Sequence, residues 1–167
     1  MNFLSRRTIR KYKQKKIEQK VIRELMESVL SAPSGRNYKP CEFILVDDEE
    51  TIKKLSQSGA FFNDDAPLII VTLWNSNLSP TGEDDSCIAS TFIHLKAHNL
   101  GLGSCWIQTK NMLDKNGRSC NENIKEILNI PSNLNVNNMI SLGYPDEIKP
   151  SYTKEDLDIN KLHFNKW

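Results

Sequence analysis

The sequence predicts one domain that mixes helices and strands, with a sheet covered by helices on both faces. Three observations carry this. Segments of helical periodicity alternate along the chain with short strand-like runs, and no low-complexity linker separates them. One run, Pro67-Leu68-Ile69-Ile70-Val71-Thr72-Leu73-Trp74, is apolar without a break, so both of its faces need cover. A chain of 167 residues, 38% apolar and 26% charged, has the length and composition of one globular domain with a sizeable core.

Taken in order, the elements begin with a basic segment, Arg6-Arg7-Thr8-Ile9-Arg10. On a helical turn Arg6 and Arg10, four apart, would leave the same face and close together on one dianion. Val21, Ile22, Leu25, Met26, Val29 and Leu30 then form an apolar stripe at helical spacing, a core-facing helix that ends at Ala32-Pro33. The turn that follows, Ser34-Gly35-Arg36-Asn37, supplies hydroxyl, amide and free backbone N–H groups suited to a polar ligand edge. Residues 42–46 predict a strand, 49–58 a polar helix and 67–74 the buried strand. Asp84 and Asp85 favour the start of a long helix carrying Ile88, Phe92, Ile93, Leu95 and Leu100, which Gly101 can close in the left-handed conformation. Residues 104–109 predict a strand, 121–128 a helix stopped by Pro131, and 136–142 a strand. Residues 146–167 are polar and without strong periodicity, yet finish on His163-Phe164-Asn165-Lys166-Trp167, aromatics that ask for cover by another surface.

The net charge of +1 hides an asymmetry. Residues 1–20 hold eight Lys or Arg against one acid, which leaves the rest at roughly −6 by the same count, so the N-terminal end calls for an anion. Four cysteines without C-x-x-C spacing, and no secretory signal before them, predict reduced thiols and a cytoplasmic protein. The apolar runs are too short to span a bilayer.

The basic segment, the Ala32-Pro33-Ser34-Gly35-Arg36-Asn37 turn, Gly101-Leu102-Gly103-Ser104-Cys105-Trp106-Ile107 and Leu142-Gly143-Tyr144-Pro145 together resemble the FMN-dependent nitroreductase family in its short-chain form. Each motif is common by itself; the order and spacing of all four, over nearly the whole chain, are what make the signal. The resemblance implies an α+β fold: a three-layer α/β/α sandwich with a mostly antiparallel central sheet, residues 1–167 forming a single FMN-binding domain. It implies a homodimer with FMN in a crevice between subunits and the tail, residues 151–167, exchanged onto the partner. Arg6 and Arg10 would contact the FMN phosphate or the N1/O2 edge of the ring, with Arg7 and Thr8 contributing beside them. A fixed cation near N1 stabilises the negative charge placed there on reduction. Pro33, Ser34 and Asn37 would add contacts to the cofactor. Backbone donors along Trp106, Ile107, Gln108 and Thr109 would pass the flavin N5, and Lys154 would reach the phosphate. Phe61 and Phe62 would border the substrate side. Around Pro40 this chain has Lys39 and Cys41 where the family commonly has Gln and Trp. The implied reaction is ping-pong: NADH or NADPH reduces the flavin and leaves, and a nitroaromatic, quinone or related small acceptor takes the electrons. The flavin carries the hydride, so no catalytic side chain is required.

Rival functions are a non-catalytic flavin-binding protein and a nucleic-acid binder using the basic N-terminus. Against the latter, the basic segment has no interleaved aromatic but Tyr12, and the remainder of the chain would repel a polyanion. Gly101-Leu102-Gly103 is no dinucleotide loop, since the third glycine is missing and the motif follows a helix instead of preceding one. His94 and His98 stand at a zinc-compatible spacing but lack an H-E-x-x-H glutamate and a third ligand, so no metal is expected.

Overall fold

A computed structural model describes residues 2–60, 62 and 64–167. Among them run α1 (Gln19–Leu30), β1 (Cys41–Val46), α2 (Glu49–Ser56), β2 (Leu68–Asn75), α3 (Gly82–Asn99), β3 (Gly103–Gln108), α4 (Cys120–Ile127) and β4 (Leu134–Gly143). The strands form one sheet in the order β1-β2-β4-β3, and each neighbouring pair is antiparallel. From residue 19 onward every sequence-predicted helix and strand is present, with bounds moved by a few residues at most.

The unbroken apolar run of β2 explains the layers. Leu68 and Ile70 point to one face, where they pack with Leu25 and Val29 of α1 and Ala89, Ile93 and Ala97 of α3. Ile69, Val71 and Leu73 point to the other, against Ile52 and Leu55 of α2 and Cys120 and Ile124 of α4. The result is a three-layer α/β/α sandwich on an antiparallel sheet. Between Thr72 and Leu73 the β2–β4 register skips Asn137, a bulge in β4. Beside it Thr72, Ser90 of α3 and Asn138 form a buried polar group, with Ser90 Oγ 3.2 Å from both Thr72 Oγ1 and Asn138 Oδ1 and accepting from Asn138 Nδ2 at 2.9 Å.

Local signals set the helix ends. Asp48 caps α2 by accepting the Thr51 N–H at 2.8 Å, with acids in its first turn and lysines in its last. Gly101, at φ +76°, closes α3: its N–H reaches the His98 carbonyl, and that of Leu102 reaches Ala97. Asn129 does the same for α4 at φ +52°, so that helix stops before Pro131 is met. Among the described residues no helix is long and apolar enough to cross a membrane.

The N-terminal segment departs from expectation. After a 3-10 turn at Phe3–Ser5, residues 6–18 contain no helix. Thr8 bridges Ser104 in parallel and Tyr12 bridges Pro145, so the segment lies extended along the sheet. Residues 151–167 are exposed throughout and hold one short 3-10 turn, Ile159–Lys161.

Candidate functional site

The extended segment is pinned from several sides. Ile9 N–H bonds the Ser104 carbonyl at 3.1 Å, Lys13 N–H bonds Tyr144, and the Tyr12 hydroxyl donates to the Ile9 carbonyl at 2.7 Å while meeting Ser141 Oγ at 2.8 Å. Burial raises the Tyr12 phenol well above its ordinary range, so it stays a neutral donor. Gly103 is required by closeness, since a Cβ there would sit 2.7 Å from that of Ile9. The Gly-Leu-Gly motif therefore closes a helix and seats the N-terminal segment.

Extension changes what the arginines can hold. In a strand residues 6, 8 and 10 still share a side, but Arg6 and Arg10 are separated by roughly 13 Å instead of one helical turn. That spacing suits two parts of an elongated ligand better than the single dianion a helical turn could close on. Glu147 accepts the backbone N–H groups of Arg10 and Lys11, which, Arg10 first, hold its carboxyl below the usual range. Arg7 is engaged by the tail, its guanidinium bonded to the Pro150 carbonyl and 4.5 Å from the centroid of the Tyr152 ring. Lys154 lies exposed on a bend two residues further on.

Register decides the β3 edge. Because Ser104 turns its carbonyl outward to Ile9, alternation turns the backbone groups of Trp106 and Gln108 outward as well, while Cys105 and Ile107 pair inward with β4. By that alternation the Ile107 N–H turns toward β4, which leaves its neighbours to present donors at this edge. The Trp106 indole donates to Gln108 Oε1 at 3.0 Å, and Gln108 Nε2 donates to the Lys110 carbonyl, which folds this side chain back along the strand.

The second predicted segment is built around a carboxylate that sequence reasoning took only for a helix-start charge. Asp85, 3% exposed, accepts the Gly35 N–H at 2.8 Å and the hydroxyls of Thr81 (3.3 Å) and Ser79 (3.4 Å). A Cβ on Gly35 would meet Thr81 Oγ1 at 2.5 Å. Arg36, Asn37 and Lys39 all take positive φ, 49°, 59° and 49°, and Ser34 Oγ accepts the Lys39 N–H at 2.9 Å. Pro33, Ser34, Lys39, Cys41 and Asp85 line one cleft. Burial pushes the Cys41 thiol up to about 11, so it is no thiolate nucleophile at neutral pH.

The two clefts stand at opposite ends of α3. Arg6, Arg7, His98, Gly103, Glu147 and Lys149 line the other. Asp85 and His98, thirteen residues apart on one helix, are separated by about 20 Å along its axis. Between them Ile88, Phe92 and Leu95 lie on the outward side of α3, where Phe92 and Leu95 line a shallow apolar groove. Phe62 packs against the core between the sheet, α2 and α4, away from both clefts, and Phe61 lies outside the described residues.

The α3 histidines part company. His98 Nε2 pairs with Ser5 Oγ at 2.8 Å, whereas His94 Nδ1 pairs with Ser104 Oγ at 2.7 Å and its ring stacks 6.3 Å from that of Trp106. Burial, helped by the charge of Arg6, lowers the His94 pKa from 6.5 to about 4. As pH falls from about 6.5 to about 4, the unfolded chain takes up a proton that the folded chain refuses. His94 therefore withdraws on the order of 3 kcal/mol of stability over that window. Denaturant melts at pH 7 and 4.5 should show the loss, and His94→Gln should flatten it; an unchanged slope would place His94 in water.

Comparison with known proteins bears on the fold and the family. Residues 4–60 match the family model described as "Nitroreductase family". A structure titled as an FMN-dependent nitroreductase from Clostridium difficile superposes with a TM-score of 0.94 at 41% identity, covering 98% of this chain and 97% of that one. A relative in Archaeoglobus fulgidus, provisionally named NADH dehydrogenase/NAD(P)H nitroreductase, is 32% identical over 98% of this chain and 95% of its own length. One of the same provisional name in Methanothermobacter thermautotrophicus is 31% identical, covering 98% and 84%.

Proposed function

The chain belongs to the nitroreductase family, and from that premise we propose that it is an FMN-dependent oxidoreductase whose cofactor lies between two copies of the chain. NADH or NADPH is the electron donor, and a nitroaromatic, quinone or similar small molecule is the acceptor. When bound, FMN supplies the hydride chemistry that links the two. The observation that carries the reading is the placement of the donor sets at opposite ends of α3. A two-fold axis across the apolar side of α3 brings the arginine end of one copy beside the Ser34 end of the other. The donor set fits an elongated, anionic, hydrogen-bonding group: two separated guanidiniums, the Thr8 hydroxyl, outward N–H groups at Trp106 and Gln108, and Ser34 with Asn37.

These residues bind and orient. One of Arg6 and Arg10 holds the phosphate and the other the pyrimidine edge, where fixed positive charge favours the reduced cofactor. Lys39 adds a cation on the second cleft, and Lys154 reaches the phosphate from the tail. Donor and acceptor occupy the same open space in turn, which makes the kinetics ping-pong.

Arg10→Ala should weaken FMN binding by one to two decades, because a charge-assisted contact contributes about 1.5 to 3 kcal/mol. Arg10→Lys should fall between the two. Titration of the flavin-free protein gives this directly, and wild-type affinity in Arg10→Ala would remove the site from this segment. Anaerobic bleaching of the yellow protein by NADH or NADPH separates an enzyme from a flavin carrier.

A further inference from the structure

The tail is exposed along its whole length, yet its root is tied to the N-terminal segment at one point. Arg7 Nη1 donates to the Pro150 carbonyl, the guanidinium lies over the Tyr152 ring with Cζ 4.5 Å from the centroid, and the Tyr152 N–H reaches the Leu4 carbonyl at 2.9 Å. A planar cation is needed to satisfy carbonyl and ring together; an ammonium can meet one of them. Beyond this point Asp156 accepts the N–H and hydroxyl of Thr153, closing a turn at the root.

We propose that Arg7 is a positioning residue for the tail: with Tyr152 it clamps residues 150–152 onto the segment that carries Arg6 and Arg10. The clamp sets the direction in which residues 153–167 leave the domain, toward a second copy of the chain. Arg7 lines the same cleft as Arg6, but its guanidinium is taken up by the Pro150 carbonyl and the Tyr152 ring, so Arg7 serves the tail while Arg6 and Arg10 are left to the cofactor. A tail seated on the partner cannot shift without dragging the cationic segment, and the two sites are thereby linked. Only the destination of the tail rests on the function proposed above; the clamp belongs to one chain.

Amide hydrogen exchange on the full-length protein without flavin reads the clamp at the Tyr152 N–H. Arg7→Ala should speed exchange there about tenfold or more, Tyr152→Leu should do the same, and Tyr152→Phe, which keeps the ring, should leave it unchanged. The double change Arg7→Ala with Tyr152→Leu should add little to either single one, because both break one interaction. Exchange that stays slow in Arg7→Ala, or losses that multiply in the double variant, would overturn the clamp. So would an Arg7→Ala protein that loses FMN while Tyr152 remains protected, since that would put Arg7 on the phosphate. A wild-type protein that fails to bind FMN at all would instead defeat the proposed cofactor and leave the exchange result standing.

Discussion

A chain cut after Pro150 is expected to lose its dimer and its FMN together. Ile159, Leu162, Phe164 and Trp167 are 71%, 68%, 87% and 100% exposed on the single chain, far more apolar surface than a polar tail would carry into water. Burial of each on a partner contributes about 1.5 to 3 kcal/mol, against the cost of ordering the segment. Even half of that sum corresponds to roughly a hundredfold or more in the dimer dissociation constant. The same cut removes Lys154 and the Tyr152 ring beneath Arg7, so cofactor affinity falls for a second reason. Light scattering and flavin fluorescence on the truncated protein decide the matter. A soluble dimer that binds FMN as tightly as the full chain would show that the tail contributes to neither.

Asp85→Ala should have an effect of similar size from the far end of α3. Arg36 and Lys39 are long side chains held in the left-handed region, which costs of order 1 to 3 kcal/mol each, and only Asn37 tolerates that conformation readily. The turn persists because the Asp85 carboxylate fixes Gly35 and two hydroxyls from a buried position. Without it the Gly35 N–H loses its partner, a further penalty of about 1 to 3 kcal/mol, and the turn relaxes toward ordinary backbone angles. Ser34 then leaves the cleft and Asn37 moves with the turn, and FMN affinity should fall by about a hundredfold, with Asp85→Asn intermediate because one amide oxygen can still accept. Titration alongside a thermal melt of the flavin-free protein separates lost binding from lost folding. Unchanged affinity in Asp85→Ala would mean that the turn stays in place without its anchor.

The layers were legible in the sequence because burial on both faces leaves no alternation, and β2 shows that directly. The helix ends were legible at Gly101 and Asp48 for equally local reasons. The N-terminal segment was not: four-residue spacing of like side chains fits one face of a helix and one face of a strand, and five residues hold too little pattern to choose. Gly103 decides it, since a bare backbone there lets Ile9 lie against β3. Asp85 was hidden because a carboxylate in the first turn of a helix is favourable wherever it points, and only the fold shows it turned inward to Gly35. The tail announced itself by its aromatics, while the bond from Arg7 to Pro150 joins residues too distant in the chain for any pattern to pair.

The separation of the donor sets along α3 carries a genetic consequence. On the function proposed above, the arginine end of one chain and the Ser34 end of the other grip each cofactor, so that a homodimer contains two composite sites. A chain defective at Arg10 and a chain defective at Asp85 each bind flavin poorly when paired with themselves. Co-expressed, they assemble a hybrid in which one site inherits both lesions and the other inherits none. The isolated hybrid should then hold one flavin per pair of chains, a complementation between two binding-defective alleles that a cofactor held within a single chain would never show.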